Sequence, residues 1–477
     1  MLHCNGIDGV ASSAHRPPRY HGDMTALAPR SFLTCLDGGE RLTEVAPLVS
    51  TDPGHRLASV LAVPERTFQV MEGFGGAFTE AAALTWQSLD DERRAALLRD
   101  CFCPTEGHGY TLCRVPMGSS DFALGNYSHV DTPGDYALES FSIARDRQAI
   151  IPFIRAAMAV RGSEIKLLAS PWSPPAWMKT TGRMNDGGAL RPDCRAAWAQ
   201  CFVRFIEAYA AEGIPIWGVS VQNEPEATQR WDSCLYTGEE ERDFIRDHLG
   251  PALHRAGLAD VRIVAWDHNR DRLVERAAAV YRDRAAARFV WGTGFHWYGA
   301  DHFDHVQQVH DAWPDKHLLF TEGCQEGGPH HGQWEVGERY ARSMIADINR
   351  WTVGWIDWNL CLDMQGGPNH VGNFCSAPLL VDAAAGLVHR QSAYFYIGHF
   401  ARFAKPGARR ILCAADDARL ETTGFLNPDG SLAVVVLNRT GECRDFVLRL
   451  GDTDWRAHLP PRAIATYALA ATPISSG

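Results

Sequence analysis

Eight times between residues 70 and 360, a short apolar run ends in a polar, aromatic or glycine-rich segment. The runs fall at 70–78, 109–116, 165–171, 216–222, 261–267, 289–296, 317–321 and 354–360. Helical stretches lie between them, the clearest at about 79–99, 193–212, 239–255 and 333–350. Strands buried on both faces read as nearly unbroken apolar segments, and Lys166-Leu167-Leu168-Ala169-Ser170 and Trp217-Gly218-Val219-Ser220-Val221 come close. About 36 residues per unit suits a parallel (β/α)8 TIM barrel with some insertions. The fold class expected is α/β.

After residue 391 the pattern changes to short strands at 420–425, 431–438, 444–450 and 463–469. Asn427-Pro428-Asp429-Gly430 between the first two is a hairpin signal. Residues 32–61, ahead of the barrel, carry enough apolar sequence to add strands to the same sheet. The division expected is a loose N-terminal arm (1–30), the first part of an antiparallel β-sandwich (31–67), the barrel (68–390) and the rest of the sandwich (391–477).

Several function classes fall away on composition. The net charge is −11 without Lys/Arg clusters, which argues against nucleic acid. No run approaches the 18 or so apolar residues that a membrane-crossing helix needs. Residues 1–30 lack the apolar core of a signal peptide, and 13 scattered cysteines lack zinc-ribbon spacing, so a cytoplasmic setting with reduced thiols is expected. Cys101 and Cys103 with His108 offer half a metal site and no second half; His268, His296, His330 and His331 lack the spacing of a metallohydrolase.

Barrel enzymes place their chemistry at the C-terminal strand ends. Those ends carry Arg114, Asp121, Trp172, Asn223, Glu224, Asp267, His268, His296, Tyr298, Glu322 and Asp357 to Asn359. Two glutamates stand out: Glu224 follows the fourth strand and Glu322 the seventh, 98 residues apart, as three strand–helix units require. Each closes an apolar run and precedes Pro or Gly. Two carboxyls facing each other across a barrel mouth can sit about 5 Å apart, the spacing of a retaining glycosidase, with one protonated and one ionised. Such a reaction needs no metal or other cofactor. Asn-Glu-Pro alone is a weak signal, and a lone Glu is more often a cap or an ion-pair partner. Arg114 stands where it can pair with Glu322 and keep it ionised; an ordinary buried ion pair is the plainer reading. Trp172, Trp177, Trp297 and Trp358 serve equally well as core or as sugar platforms.

Longer motifs go further. Glu72-Gly73-Phe74-Gly75-Gly76, Arg114-Val115-Pro116-Met117-Gly118, Ser170-Pro171-Trp172-Ser173-Pro174-Pro175-Ala176-Trp177-Met178-Lys179, Gln222-Asn223-Glu224-Pro225, His296-Trp297-Tyr298, Thr321-Glu322-Gly323-Cys324 and Gly366-Gly367-Pro368-Asn369 run in one order along the chain. Together they resemble the glucosylceramidase (acid β-glucosidase) branch of glycoside hydrolase family 30. The resemblance spans about 68–467. It implies a β-glucoside substrate, Glu224 as acid/base and Glu322 as nucleophile. It further implies Asp121, Trp172, Asn223, Trp358 and Asn373 on the glucosyl hydroxyls, Tyr298 beside the nucleophile, and Arg114 and His296 in support. Cys324 matches a rim cysteine expected to be a bystander. The loop Gln325-Glu326-Gly327-Gly328-Pro329-His330-His331 is more polar than the family's rim, and the stretch 230–234 is shorter. Ceramide is therefore one expectation for the aglycone, with transient contact at a membrane surface, and a soluble β-glucoside or β-xyloside is the alternative. A sugar-binding protein without activity would normally have lost one carboxylate; this chain keeps both.

Overall fold

The computed structural model describes residues 28–51, 57–450 and 453–471. Most of the proposed N-terminal arm, residues 1–27, lies outside them. Eight parallel strands close into a barrel: Gly73–Ala77, Leu112–Pro116, Lys166–Ser170, Gly218–Ser220, Arg262–Asn269, Val290–His296, His317–Glu322 and Thr352–Asn359. The last pairs with the first through Gly354 and Gly73. Leu112, Leu168, Val264, Leu319 and Ile356 fill the barrel interior, with Trp217 and Trp291 packed against them. At Gly75 a Cβ would stand 2.0 Å from the Leu112 carbonyl oxygen, so the Gly-rich first strand is a demand of close strand packing.

Two helical expectations need correction. Residues 79–99 form two helices, Glu80–Gln87 and Asp91–Phe102, because Asp90 caps the second by accepting the Arg93 N–H at 2.9 Å. The stretch 239–255 is Gly238–Phe244 and Gly250–Arg255 joined by a wider π turn, Ile245–Leu249; Pro251 has no N–H to continue the α-helical ladder there.

The second module is a ten-stranded sheet built from both sides of the barrel sequence. Arg30–Cys35 pairs antiparallel with Ala463–Leu469, and the 13-residue strand Ala58–Val70 lies between Arg409–Ala415 and Arg444–Leu450. The sheet folds over a core that includes Val60, Val434, Val436, Leu448 and Trp455, with Phe446 meeting Tyr467 at 6.1 Å between ring centres. This is the sandwich. The helix Ser392–Ala401 precedes its C-terminal strands and links it to the barrel: buried His399 bonds Thr34 Oγ1 at 2.9 Å and Thr466 Oγ1 at 2.8 Å, and burial pushes its imidazole down to about 3. A three-stranded sheet, Cys361–Asp363, Leu379–Asp382 and Leu387–Arg390, extends from the eighth barrel strand.

Candidate active site

Arg114 is fully buried in the middle of the second strand, Leu112–Pro116, and reaches four other elements. Nη1 donates to Glu322 Oε2 at 2.5 Å, Nη2 to Asp267 Oδ2 at 2.7 Å and Asn223 Oδ1 at 2.9 Å, and Nε to Ser170 Oγ at 2.9 Å. Its guanidinium lies 4.7 Å from the Trp172 ring centre. Asp267 also accepts from Ser220 at 2.5 Å and bonds His296 Nε2 at 3.0 Å. The other ring nitrogen of His296 faces Glu224 Oε1 at 3.2 Å. Tyr298 completes the set by donating its hydroxyl to Glu322 Oε1 at 2.8 Å. One continuous polar chain thus joins Glu322, Arg114, Asp267, His296 and Glu224 across the barrel mouth.

The local backbone explains how the chain delivers these groups. The Gln222 amide donates to the Trp172 and Asn223 carbonyls, the Asn223 N–H to the Pro171 carbonyl, and the Glu224 N–H to the Asp267 carbonyl. Glu224, Trp266 and Asp267 all take left-handed backbone angles, with φ of 46°, 72° and 59°. Side-chain residues adopt this region at a cost, and here it falls at strand ends where Glu224 and Asp267 join the polar chain.

Electrostatics follow from burial and proximity. Against burial, Arg114 and His296 hold Asp267 well below the usual carboxylate range. Burial works against the charged His296, yet Glu322 and the hydrogen bonds to Asp267 and Glu224 push it up to about 9. Burial pushes Glu322 up against the pull of His296 and Arg114, whereas His268 and His296 outweigh burial and hold Glu224 down. An oxygen of each glutamate and a ring nitrogen of His296 lie within 4.8 Å of one another, so the glutamates titrate as a pair. These three groups are also the metal-ligand cluster found among the described residues. Both ring nitrogens of His296 are committed to carboxylates and Arg114 already compensates Glu322, so the donor set suits proton transfer better than a cation.

The pair opens into a cavity of about 230 Å³. Asp121, Trp172 and Trp358 form its buried end, the two indoles stacked 5.0 Å apart. Asp121 Oδ2 accepts from Asn373 at 2.9 Å and Asn369 at 3.2 Å, and burial pushes the carboxyl up to about 7. Gln229, Trp231 and Glu326 line the more exposed end, and Arg339 holds Glu326 at 2.9 Å.

All ten residues singled out from sequence meet here. Of the four tryptophans weighed, Trp172 and Trp358 line the cavity; Trp177 donates to the Val130 carbonyl and Trp297 to the Cys324 carbonyl, away from it. The four histidines weighed as metal ligands do not come together as one set: His296 joins the glutamate pair, and the other three stay outside that cluster. His268 flanks Glu224 at 3.9 Å, His330 bonds the Glu326 carbonyl, and His331 packs on His389. His108 bonds Tyr110 and stacks on Tyr394, with its imidazole pushed down to about 3 by burial; among the described residues Cys101, Cys103 and His108 do not come together as a ligand cluster. Sequence reasoning placed Asp267 at a strand end and Asn369 in a motif without giving either a role, and it passed over Gln229 and Cys375.

Residues 71–404 match the glycosyl hydrolase family 30 TIM-barrel domain and residues 407–467 the glycosyl hydrolase family 30 beta sandwich domain. The lysosomal acid glucosylceramidase of Mus musculus is 39% identical over 409 residues, 82% of this chain and 79% of that protein. Among solved structures, SrfJ from Salmonella typhimurium superposes with a TM-score of 0.89 at 39% identity, covering 94% of this chain and 100% of that one. The endo-beta1,6-glucanase BT3312 follows at 0.85 and 30%, covering 93% and 100%. With both modules matched across most of the sequence, the chain belongs to glycosyl hydrolase family 30 and is a glycoside hydrolase.

Proposed function

We propose that this chain is a retaining β-glucosidase that works by double displacement, with Glu322 as nucleophile and Glu224 as acid/base. One observation carries the reading: carboxylate oxygens of the two glutamates lie within 4.8 Å. Retaining pairs stand about 5–5.5 Å apart, whereas inverting pairs need about 6.5–9.5 Å to admit a water. Both oxygens of Glu322 are held by donors, Arg114 and Tyr298, which favours a fixed carboxylate aimed at the anomeric carbon. Glu224 keeps one oxygen outside its contact with His296.

In the first step Glu322 attacks the anomeric carbon while Glu224 gives its proton to the departing glycosidic oxygen. In the second, Glu224 takes a proton from water, which displaces Glu322. The substrate-free charge order, with Glu322 raised and Glu224 lowered, is the reverse of these roles. Double displacement requires the proton on Glu224 once substrate is bound. Asn223 commits its oxygen to Arg114 and keeps its NH₂ for a sugar 2-hydroxyl, a contact that strengthens as positive charge develops. Asp121 and Asn373 offer acceptors and donors to the remote hydroxyls, and Trp172 and Trp358 offer ring faces. The cavity suits one terminal sugar.

For the aglycone we favour a glucosylceramide-type lipid, on the likeness to the mouse glucosylceramidase. Transient contact with a membrane surface would accompany that substrate. A soluble β-glucoside is the second reading, favoured by Gln229 and Glu326 at the exposed end of the cavity and by the likeness to an endo-beta1,6-glucanase. A panel of nitrophenyl β-glycosides run beside fluorescent glucosylceramide separates the two. Proton NMR of the first-formed product should show the β-anomer; the α-anomer first, or no β-glucoside cleaved, overturns the proposal.

A further inference from the structure

Two cysteines share the wall of the cavity that holds the glutamate pair. Cys324 follows Glu322 by two residues, and Cys375 follows Asn373 by two; both are buried within the protein and both line the cavity. Their loops are strapped together. Glu326 pairs with Cys375 across an antiparallel bridge, the Ser376 N–H donates to the Gln325 carbonyl at 2.8 Å, and the Gly328 N–H to the Phe374 carbonyl at 2.9 Å. This register puts Cys324 and Cys375 diagonally opposite on one face of the pair. Both side chains pack in one buried cluster, and the neighbouring Cys375, with burial, holds the Cys324 thiol well above its usual range. Each sulfur is also one contact from a site residue. Cys324 Sγ lies 3.5 Å from the Tyr298 hydroxyl that holds Glu322, and Cys375 Sγ bonds the Asn373 carbonyl at 3.7 Å.

We propose that Cys324 and Cys375 form a reversible dithiol–disulfide pair in the wall of the substrate pocket, closed by exchange with a small-molecule disulfide, and that closing it slows turnover. The consequence for turnover rests on the reading of this cavity as the substrate pocket; the bond itself does not. In the exchange, one pocket sulfur, as its thiolate, attacks the small disulfide and releases one thiol. The second pocket sulfur then displaces the other, so two protein thiols are oxidised and one external disulfide is reduced to two thiols. Diagonal partners in an antiparallel pair stand about 7–8 Å apart at Cα, whereas a disulfide holds them at about 4.4–6.8 Å. Closure therefore draws the two loops together by about 1 Å. Displacements of that size in a reacting constellation cost about 100-fold. A protonated Cys324 makes the exchange slow, over hours.

The test incubates the full chain overnight with oxidised glutathione, then maps peptides and measures kcat/KM on nitrophenyl β-glucoside. The expected result is a peptide pair linked through Cys324 and Cys375 and a fall in kcat/KM of about 10- to 100-fold, both reversed by dithiothreitol. Cys375→Val, compared with its own reduced state, should show neither change, even where the exposed Cys443 carries glutathione. Absence of the linked pair, glutathione left on Cys324 or Cys375 in its place, a linked enzyme with unaltered turnover, or an equal loss in Cys375→Val would each overturn the proposal. Failure of the glucosidase reading shows separately, as a reduced enzyme that cleaves no β-glucoside.

Discussion

Arg114→Met removes the cation set between Glu322 and Asp267, both buried, and the structure says how much that should matter. Arg114 makes contacts of 2.5 and 2.7 Å to the two carboxylates and neutral bonds to Asn223 and Ser170. Deleting one partner of a buried ion pair typically costs about 3–5 kcal/mol, because the remaining charge stays buried without compensation. That is a large part of the roughly 5–15 kcal/mol by which domains are stable. Adding Asp267→Asn to Arg114→Met removes one uncompensated charge and keeps one of the two acceptor oxygens that Ser220 and His296 use. The double variant should therefore recover about 2 kcal/mol relative to the sum of the two single losses. Urea unfolding, followed by both tryptophan fluorescence and circular dichroism because two modules need not unfold together, measures the cycle. Additive losses would mean that Arg114 and Asp267 are not coupled, and the polar chain described above would be wrong.

Tyr298→Phe deletes a charge-assisted hydrogen bond to Glu322 worth about 1.5–3 kcal/mol, so kcat/KM should fall about 10- to 150-fold with the fold intact. Burial pushes Asp357 up to about 8, against an ordinary value of 3.8. Its contribution is fully present below about pH 4 and is lost as pH rises toward 8, by up to about 1.4 kcal/mol per pH unit. Asp357→Asn should flatten stability against pH across that window in urea titrations; an unaltered slope counts against a protonated Asp357. Glu224→Ala should retain the first step on a nitrophenyl glucoside and be rescued by azide to the β-glycosyl azide, whereas Glu322→Ala with azide should give the α-anomer. The same anomer from both would reverse the account of their roles.

The barrel was legible because its strands are buried on both faces and so read as apolar runs with polar ends. The same logic found Glu224 and Glu322, since a carboxylate closing an apolar strand points to the mouth. Asp267 also closes such a strand, but its partners Arg114, Ser220 and His296 come from three other strands, and no local pattern announces them. The helix break at Asp90 was written in the sequence as an N-cap and was missed under a continuous amphipathic pattern. Strands Arg409–Ala415 and Thr453–Leu459 escaped notice because charged residues interrupt their alternation; the first pairs with the distant Ala58–Val70 and the second with the strand just before it, Arg444–Leu450. The meeting of Cys324 with Cys375 is a pairing of loops, which composition and periodicity do not record.

The central claim is that Glu322 becomes covalently bound to the sugar. A 2-deoxy-2-fluoro-β-glucoside with a dinitrophenolate leaving group slows both steps but lets the first outrun the second, so the glycosyl-enzyme accumulates. Intact mass should show one fluoroglucosyl group per chain, and peptide mapping should place it on Glu322. A label on Glu224, or inactivation without any covalent adduct, would contradict the assignment.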